Sequence, residues 1–286
     1  MPAWRVGWAD AQAALRDEVG RVTALLRSRP DPTVPALGDW NFGDLAMHLS
    51  QAWIAVPGLA RRDLSELRAV AGSGTGDEAP LADVWDLADF SGGAVRSDPE
   101  RDPAVLAGRI EERAEGFFAA CAGCAGDEPR PWLVEGSTVD LTMLTCHLLN
   151  EMVMHGADLA RAAGRPWPVP PAHAVLVHQG FLLPSMAAMD PRALVDQRAA
   201  AGVRATYEVR LRGGGRWRFV FDDGAATVED PSDRRVDCYV SADPVAMLDV
   251  VWARRSQWSA IARGQLLAWG RRPWLGPKLR SMLRNP

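Results

Sequence analysis

The chain has almost no lysine. Lys278 is the single one among 32 basic residues, and all the others are arginine. We read that bias as the codon usage of a GC-rich genome and not as chemistry. Basic residues as a whole are outnumbered by 36 acidic ones, which leaves a formal net charge of −4. Proteins that neutralise nucleic-acid phosphates normally carry a basic footprint, so no nucleic-acid partner is expected. Long apolar runs are missing too. Nothing approaches the ~20 residues needed to span a bilayer, and no basic amphipathic segment reads as a membrane anchor, so no membrane partner is expected. The opening stretch MPAWRVGWADAQAALRDEV lacks the basic region, apolar run and small-residue cleavage site of a signal peptide. A cytoplasmic protein is therefore expected.

Cysteine is scarce, with four in 286 residues. Cys121 and Cys124 make one C-x-x-C pair, while Cys146 and Cys238 stand alone. A zinc reading needs a second pair or nearby histidines, and a thioredoxin-type reading needs a preceding strand. The surrounding pattern is helical instead, so the pair reads as two small residues at a helix end.

What is present is helical periodicity, then alternation. Apolar residues recur at helical spacing over 9–28, and Pro30, Pro32 and Pro35 stop that helix. A second helix starts near Asn41, where Asp44 occupies the acid position of a capping box. Leu45, His48 and Leu49 share one face of it, and Pro57-Gly58 is expected to interrupt it. Residues 72–80 read as a flexible loop, 81–90 as a short helix and 103–122 as a longer one. A fourth long helix is capped by Ser137 or Thr138 and stopped by Gly164, with Pro166 beyond. Four such helices suggest an antiparallel bundle. After the PWPVPP segment at 166–171, a helix is expected over 173–188. Strands are expected at 204–212 and 216–222, joined by Gly213-Gly214-Gly215, and in AATVED and VDCYVSA. Asp243-Pro244 opens a helix, and 257–268 and 274–284 read as helical. The second half is thus a small α+β domain.

The chemistry concentrates on the fourth helix. At about 100° per residue, His147, Glu151, His155 and Asp158 fall on one stripe. Burying such groups unpaired costs several kcal/mol each, on the order of polar and charged desolvation penalties. A shared divalent cation offsets that cost. Glu151 and His155 supply a carboxylate oxygen and an imidazole nitrogen one turn apart. His48, in the apolar LAMHL context of the second helix, can supply a third ligand, with His147 as its competitor. Two imidazoles and a carboxylate suit zinc and leave an open position, although nickel, iron or manganese fit the same ligand types. Asp158 can accept the second ring N–H of His155, or it is a helix-surface acid.

WNFGDLAMHLS at 40–50 resembles a segment of the DinB-like metal-binding helical bundles. LLNEMVMHGADLARAAGRPWPVP at 148–170 resembles the Glu-x-x-x-His-x-x-Asp-Leu-Ala segment of one branch, the mycothiol-dependent maleylpyruvate isomerase family. The resemblance implies a DinB-like four-helix bundle over 1–168 and a sterol carrier-like α+β domain over 169–286. It also implies metal ligands at His48, Glu151 and His155. Val251-Trp252-Ala253-Arg254 resembles the family's Trp-Gly-Arg signature, with Ala253 in place of glycine. This matches Arg254, ahead of Arg255, to the arginine near the active site.

The function so implied is a zinc- and mycothiol-dependent isomerase or S-transferase acting on a small, carboxylate-bearing substrate. The partners are that substrate and the thiol, in a monomer or homodimer. Two other readings stand beside it. One is a metal-dependent hydrolase with His147 or Asp158 as base. The other is a non-catalytic module that binds a small ligand or regulates.

Overall fold

A computed structural model of the chain describes residues 5–63, 65, 87–133 and 137–284. The chain divides into two compact units, Gly7–Pro168 and Val169–Pro286 with Met1–Val6.

The first unit is built on helices α1 (Trp8–Arg27), α2 (Phe42–Arg61), α3 (Leu87–Ser97), α4 (Pro103–Ala120) and α5 (Leu141–Ala162). Helix α1 packs on α4 and α5, and α2 packs on the same two. Their shared core holds Leu15, Leu26, Leu45, Leu49, Trp53, Phe117, Leu144 and Met152, each at most 1% exposed. Two small hairpins precede the helices that carry the polar stripe. Strands β1 (Pro35–Leu37) and β2 (Trp40–Asn41) lead into α2, and β3 (Pro129–Pro131) and β4 (Thr138–Asp140) lead into α5.

The capping box at Asn41 forms as expected. Asp44 N–H donates to the Asn41 side chain at 2.8 Å, and Asn41 N–H donates to Asp44 at 3.2 Å. Three expectations change. Helix α2 runs through Pro57 to Arg61. A proline removes one intrahelical hydrogen bond, but Trp53–Ala60 are all buried, and that packing overrides the local break. The cap of α5 is Asp140, whose side chain accepts from Met143 N–H at 2.7 Å, because Thr138 and Val139 are held in strand β4. The short helix runs on to Ser97, past its expected end at 90. The start of its expected span, 81–86, and the expected loop at 72–80 lie outside the described residues. Gly164 ends α5 as expected: at φ +65° it closes a Schellman turn, with Gly164 N–H to Arg161 O and Arg165 N–H to Ala160 O.

The second unit opens with a helical run over 171–188: α6 (Pro171–Val177), a π turn (His178–Leu182) and α7 (Leu183–Ala188). Then come β5 (Arg204–Leu211), β6 (Arg216–Asp222), β7 (Ala226–Glu229), β8 (Cys238–Ala242), α8 (Pro244–Val251), α9 (Gln257–Ala262) and β9 (Leu266–Trp269). The sheet order is β7-β6-β5-β8-β9; β5 and β8 are parallel and the other pairs antiparallel. Tyr207, Val209, Trp217, Phe219 and Phe221 line its core face.

The expected helix over 257–268 is corrected here. Gly264, at φ +67°, closes a Schellman turn through Gly264 N–H to Ile261 O and Gln265 N–H to Ala260 O. The chain then reverses into β9. Over 274–284 the structure is a 3-10 helix (Pro273–Lys278), with Pro277 inside it, followed by the single turn α10 (Leu279–Met282).

The end of α8 repeats the Schellman pattern with an unusual residue. Ala253 N–H bonds Val250 O, Arg254 N–H bonds Asp249 O, and Ala253 carries φ +57°. A Cβ in that left-handed region costs roughly 1–2 kcal/mol. Ala253→Gly is therefore expected to stabilise the second unit by up to about 1 kcal/mol, after the greater freedom of unfolded glycine is subtracted. Denaturant midpoints measure this, and a lower midpoint in the variant would contradict the strain.

Candidate metal centre

Helices α2 and α5 place the candidate ligands face to face. His48 lies two turns into α2, Glu151 lies at the middle of α5 and His155 one turn beyond it. His48 Nε2 is 3.1 Å from Glu151 Oε2, and His155 Nε2 is 3.5 Å from the same oxygen. One ligand atom from each of the three residues lies within 4.8 Å of the other two. The two imidazole rings meet edge to face with centroids 4.9 Å apart. Donors about 2.0–2.2 Å from a tetrahedral zinc stand about 3.3–3.6 Å from one another, so both measured edges fit that donor set with little adjustment.

The second oxygen of Glu151 is occupied differently. Asn150 Nδ2 donates to Glu151 Oε1 at 3.3 Å, and His147 Nε2 stands 3.4 Å from it. Oε1 is thus held by protein groups, and Oε2 is the atom presented to His48 and His155. Asp158 is fully buried. Its Oδ1 pairs with Arg161 at 2.9 Å, and its Oδ2 stands 3.4 Å from His155 Nδ1. That second distance is in ion-pair range but longer than a good hydrogen bond. Arg161 also donates to Ala36 O at 3.0 Å, so the β1 strand anchors the arginine that holds Asp158.

The site has two aromatic neighbours that periodicity did not single out. Trp40, on β2, lies with its ring centroid 5.1 Å from that of His48. Trp132, just after β3, lies 5.1 Å from His147. Both hairpins therefore place a tryptophan beside the histidines. The signal was present in WNFGDL and in PRPW, as a tryptophan next to a turn, but no periodic pattern marks it.

Protonation follows from this packing. Burial is the largest influence on His48 and pushes its pKa below the ordinary 6.5, even though Glu151 pulls it up. Burial raises Glu151, but hydrogen bonds from His147 and His48 and the proximity of His155 outweigh it, holding the carboxyl well below its usual range. Both shifts favour the proton-free form, the one a metal requires.

The remaining sequence candidates lie elsewhere. Arg254 is in the second unit, where its guanidinium donates to Trp252 O at 2.6 Å. Arg255 pairs there with Asp249 at 2.9 Å. Cys121 follows the last residue of α4, and burial pushes its thiol up to about 11, which suits an inert thiol.

Comparison with known proteins follows the division into units. Residues 188–270 match the SCP-2 sterol transfer family. No curated protein matches the chain in sequence. Among solved structures, the chain is similar to the mycothiol-dependent maleylpyruvate isomerase at TM-score 0.52 and 14% identity, over 94% of this chain and 95% of that one. The fold is that of this isomerase. A variant of the same enzyme with one histidine replaced by alanine matches at TM-score 0.51 and 12% identity, over the same shares. The likeness to the isomerase spans both units and accounts for a helical domain joined to an α+β domain.

The shifts set a pH dependence for the metal-free protein. The unfolded chain protonates His48 near 6.5 while the fold resists it, so stability falls as pH drops below about 6.5. His178, buried in the second unit and pushed down to about 4, acts in the same sense between 6.5 and about 4. The Glu151 contribution is lost only below its ordinary 4.5. Thermal melts with chelator present are expected to show a melting temperature that declines from about pH 6.5 and declines further below 4.5. A flat profile from pH 7 to pH 4 would contradict these assignments.

Proposed function

We propose that the chain is a metal-dependent, thiol-dependent isomerase or S-transferase that takes mycothiol as its thiol and zinc as its metal. The observation that carries this reading is the convergence of His48 Nε2 and His155 Nε2 on Glu151 Oε2, at 3.1 and 3.5 Å, from two facing helices. The likeness in fold to a mycothiol-dependent isomerase supports the choice of thiol. A divalent cation bound by two imidazoles and one carboxylate lowers the pKa of a thiol at the open position, so that the nucleophilic thiolate exists at neutral pH.

The chain's own residues do the rest. His48 and His155 present their Nε2 atoms to the same side of Glu151 Oε2. His147 and Asn150 fix Glu151 through Oε1, which makes His147 a positioning residue in this reading and removes it as a free base. Asp158, braced by Arg161, stands 3.4 Å from His155 Nδ1, placed to accept that ring N–H when Nε2 holds a metal. Trp40 and Trp132 supply apolar walls beside the histidines. Arg254 stays a candidate for a substrate carboxylate, on the chemistry of a guanidinium fork and the resemblance alone.

Elemental analysis of purified protein is expected to give close to one metal per chain, and close to none in His48→Ala and His155→Ala. Undiminished metal in both variants would sink the ligand set. His147→Ala is expected to keep the site but weaken metal affinity about 10–100-fold, the usual cost of losing a ligand's supporting partner. Competition with a chromogenic chelator reads that change, and unaltered affinity would leave His147 without a positioning role. Mycothiol added to protein loaded with cobalt as a spectroscopic stand-in is expected to shift the visible absorption. An unchanged spectrum would remove the thiol from the reading and leave the metal site standing.

A further inference from the structure

The acidic balance of the chain hides a local reversal. Residues 250–286 contain seven arginines and Lys278, and no aspartate or glutamate. The same stretch is rich in exposed apolar side chains. Among the described residues the exposed large hydrophobics are Val105, Trp258, Leu267, Trp269 and Trp274, and four of these five lie in it. Trp258 and Trp274 are 62% and 61% exposed.

The fold sets them at the β9 margin of the sheet, with Leu267 and Trp269 on the outer face and the segments carrying Trp258 and Trp274 packed on the core face. Strand β9 is an edge strand, paired only to β8, and Leu267 and Trp269 share one of its faces. Trp269 stacks on Tyr239 at 5.6 Å, and the Arg210 guanidinium lies over both rings, at 4.8 Å from Tyr239 and 5.7 Å from Trp269. Helix α9, which carries Trp258, and the 3-10 helix, which carries Trp274, both pack against β9. Gln257 Nε2 donates to Pro277 O at 3.2 Å and ties those two segments together. The 3-10 helix also borders a cavity of about 480 Å³. Three cations, Arg204, Arg272 and Lys278, line it beside apolar Val203, Leu275 and Met282, with no acid among the lining residues. Asp222 pairs with Arg204 from outside that lining, at 3.0 Å.

Charge selects the partner. Four acids pair with arginines of this margin, Glu208 with Arg210, Asp222 with Arg204, Asp237 with Arg271 and Asp249 with Arg255, and a positive excess remains with all four counted. That excess opposes edge-to-edge pairing with a second copy and favours an anionic surface. Exposed tryptophans interleaved with arginines have a specific use, since the indole ring settles at headgroup depth while guanidinium binds phosphate. We propose that this margin seats the protein peripherally on an anionic phospholipid surface. Trp258 and Trp274 enter among the headgroups, and the Arg204–Arg272–Lys278 cavity receives a headgroup phosphate. This docking is independent of the metal site, and the whole chain's net charge of −4 conceals it from a composition reading.

Flotation of the full-length protein with vesicles tests it. Vesicles with about a third phosphatidylglycerol are expected to carry the protein up, and pure phosphatidylcholine vesicles are not. About 0.5 M salt is expected to release it, because screening then acts within a few Å. Trp258→Ser with Trp274→Ser, and separately Arg272→Glu with Lys278→Glu, are each expected to weaken binding roughly tenfold. Val105→Ser, in the other unit, is expected to leave binding intact. Unchanged melting temperatures would show that the variants fold. Absence of flotation, equal binding to neutral vesicles, or self-association abolished by the tryptophan variants without vesicle binding would each overturn the proposal.

Discussion

The buried carboxylate of Glu151 sets the terms for the first unit. An ionised carboxyl with only 14% of its side chain exposed loses most of its hydration, and the protein must replace it or protonate it. Here four groups crowd the two oxygens: His48 and His155 at Oε2, His147 and Asn150 at Oε1. These groups come from two helices, so α2 and α5 must meet at a fixed register. The Asn41 box fixes where α2 begins, and Asp140 fixes where α5 begins. On the other side of α5, Gly156 admits α1: a Cβ there would come within 2.9 Å of Val22 and 3.1 Å of Trp167. The residue next to His155 is therefore small because a helix must pack against it.

Much of this was legible because it repeats with the period of a helix. The stripe at 147, 151, 155 and 158 needs only 100° per residue to be seen, and the capping box needs only residue types three apart. The hairpin at 204–222 was equally plain, since alternation and three glycines state it directly. What could not be read depended on tertiary context. Pro57 looks like a stop until Trp53–Ala60 are seen buried together. LLAW at 266–269 is too short for its period to distinguish helix from strand, and it becomes a strand because β8 offers an edge. Gly264 was the available signal for that break, as a glycine at a helix end with a short apolar run beyond it.

The candidate site divides in the same way. Three candidate ligands on two amphipathic helices could be listed from the sequence, but the partition of the two Glu151 oxygens could not. That partition depends on side-chain rotamers, and it changes what His147 is for. Within the proposed reading, a histidine whose Nε2 faces a carboxylate already engaged elsewhere acts as a brace. The two tryptophans were missed for a related reason. Each sits at a hairpin, where periodicity is silent and the direction of a ring is set by strand pairing.

The protonation states favour a particular kind of fourth partner. Burial keeps His48 neutral, and its surroundings keep Glu151 ionised, so these two donors already have the charges a cation needs. Little deprotonation work is then charged against metal affinity near neutral pH. Two neutral imidazoles and one carboxylate offset only one of the two charges of a divalent ion. The positive remainder sits among buried groups, where charge is poorly screened. A neutral thiol leaves that remainder standing, whereas a thiolate cancels it. Within the proposed reading, the same desolvation that makes Glu151 costly to bury therefore biases the site towards an anionic sulfur ligand.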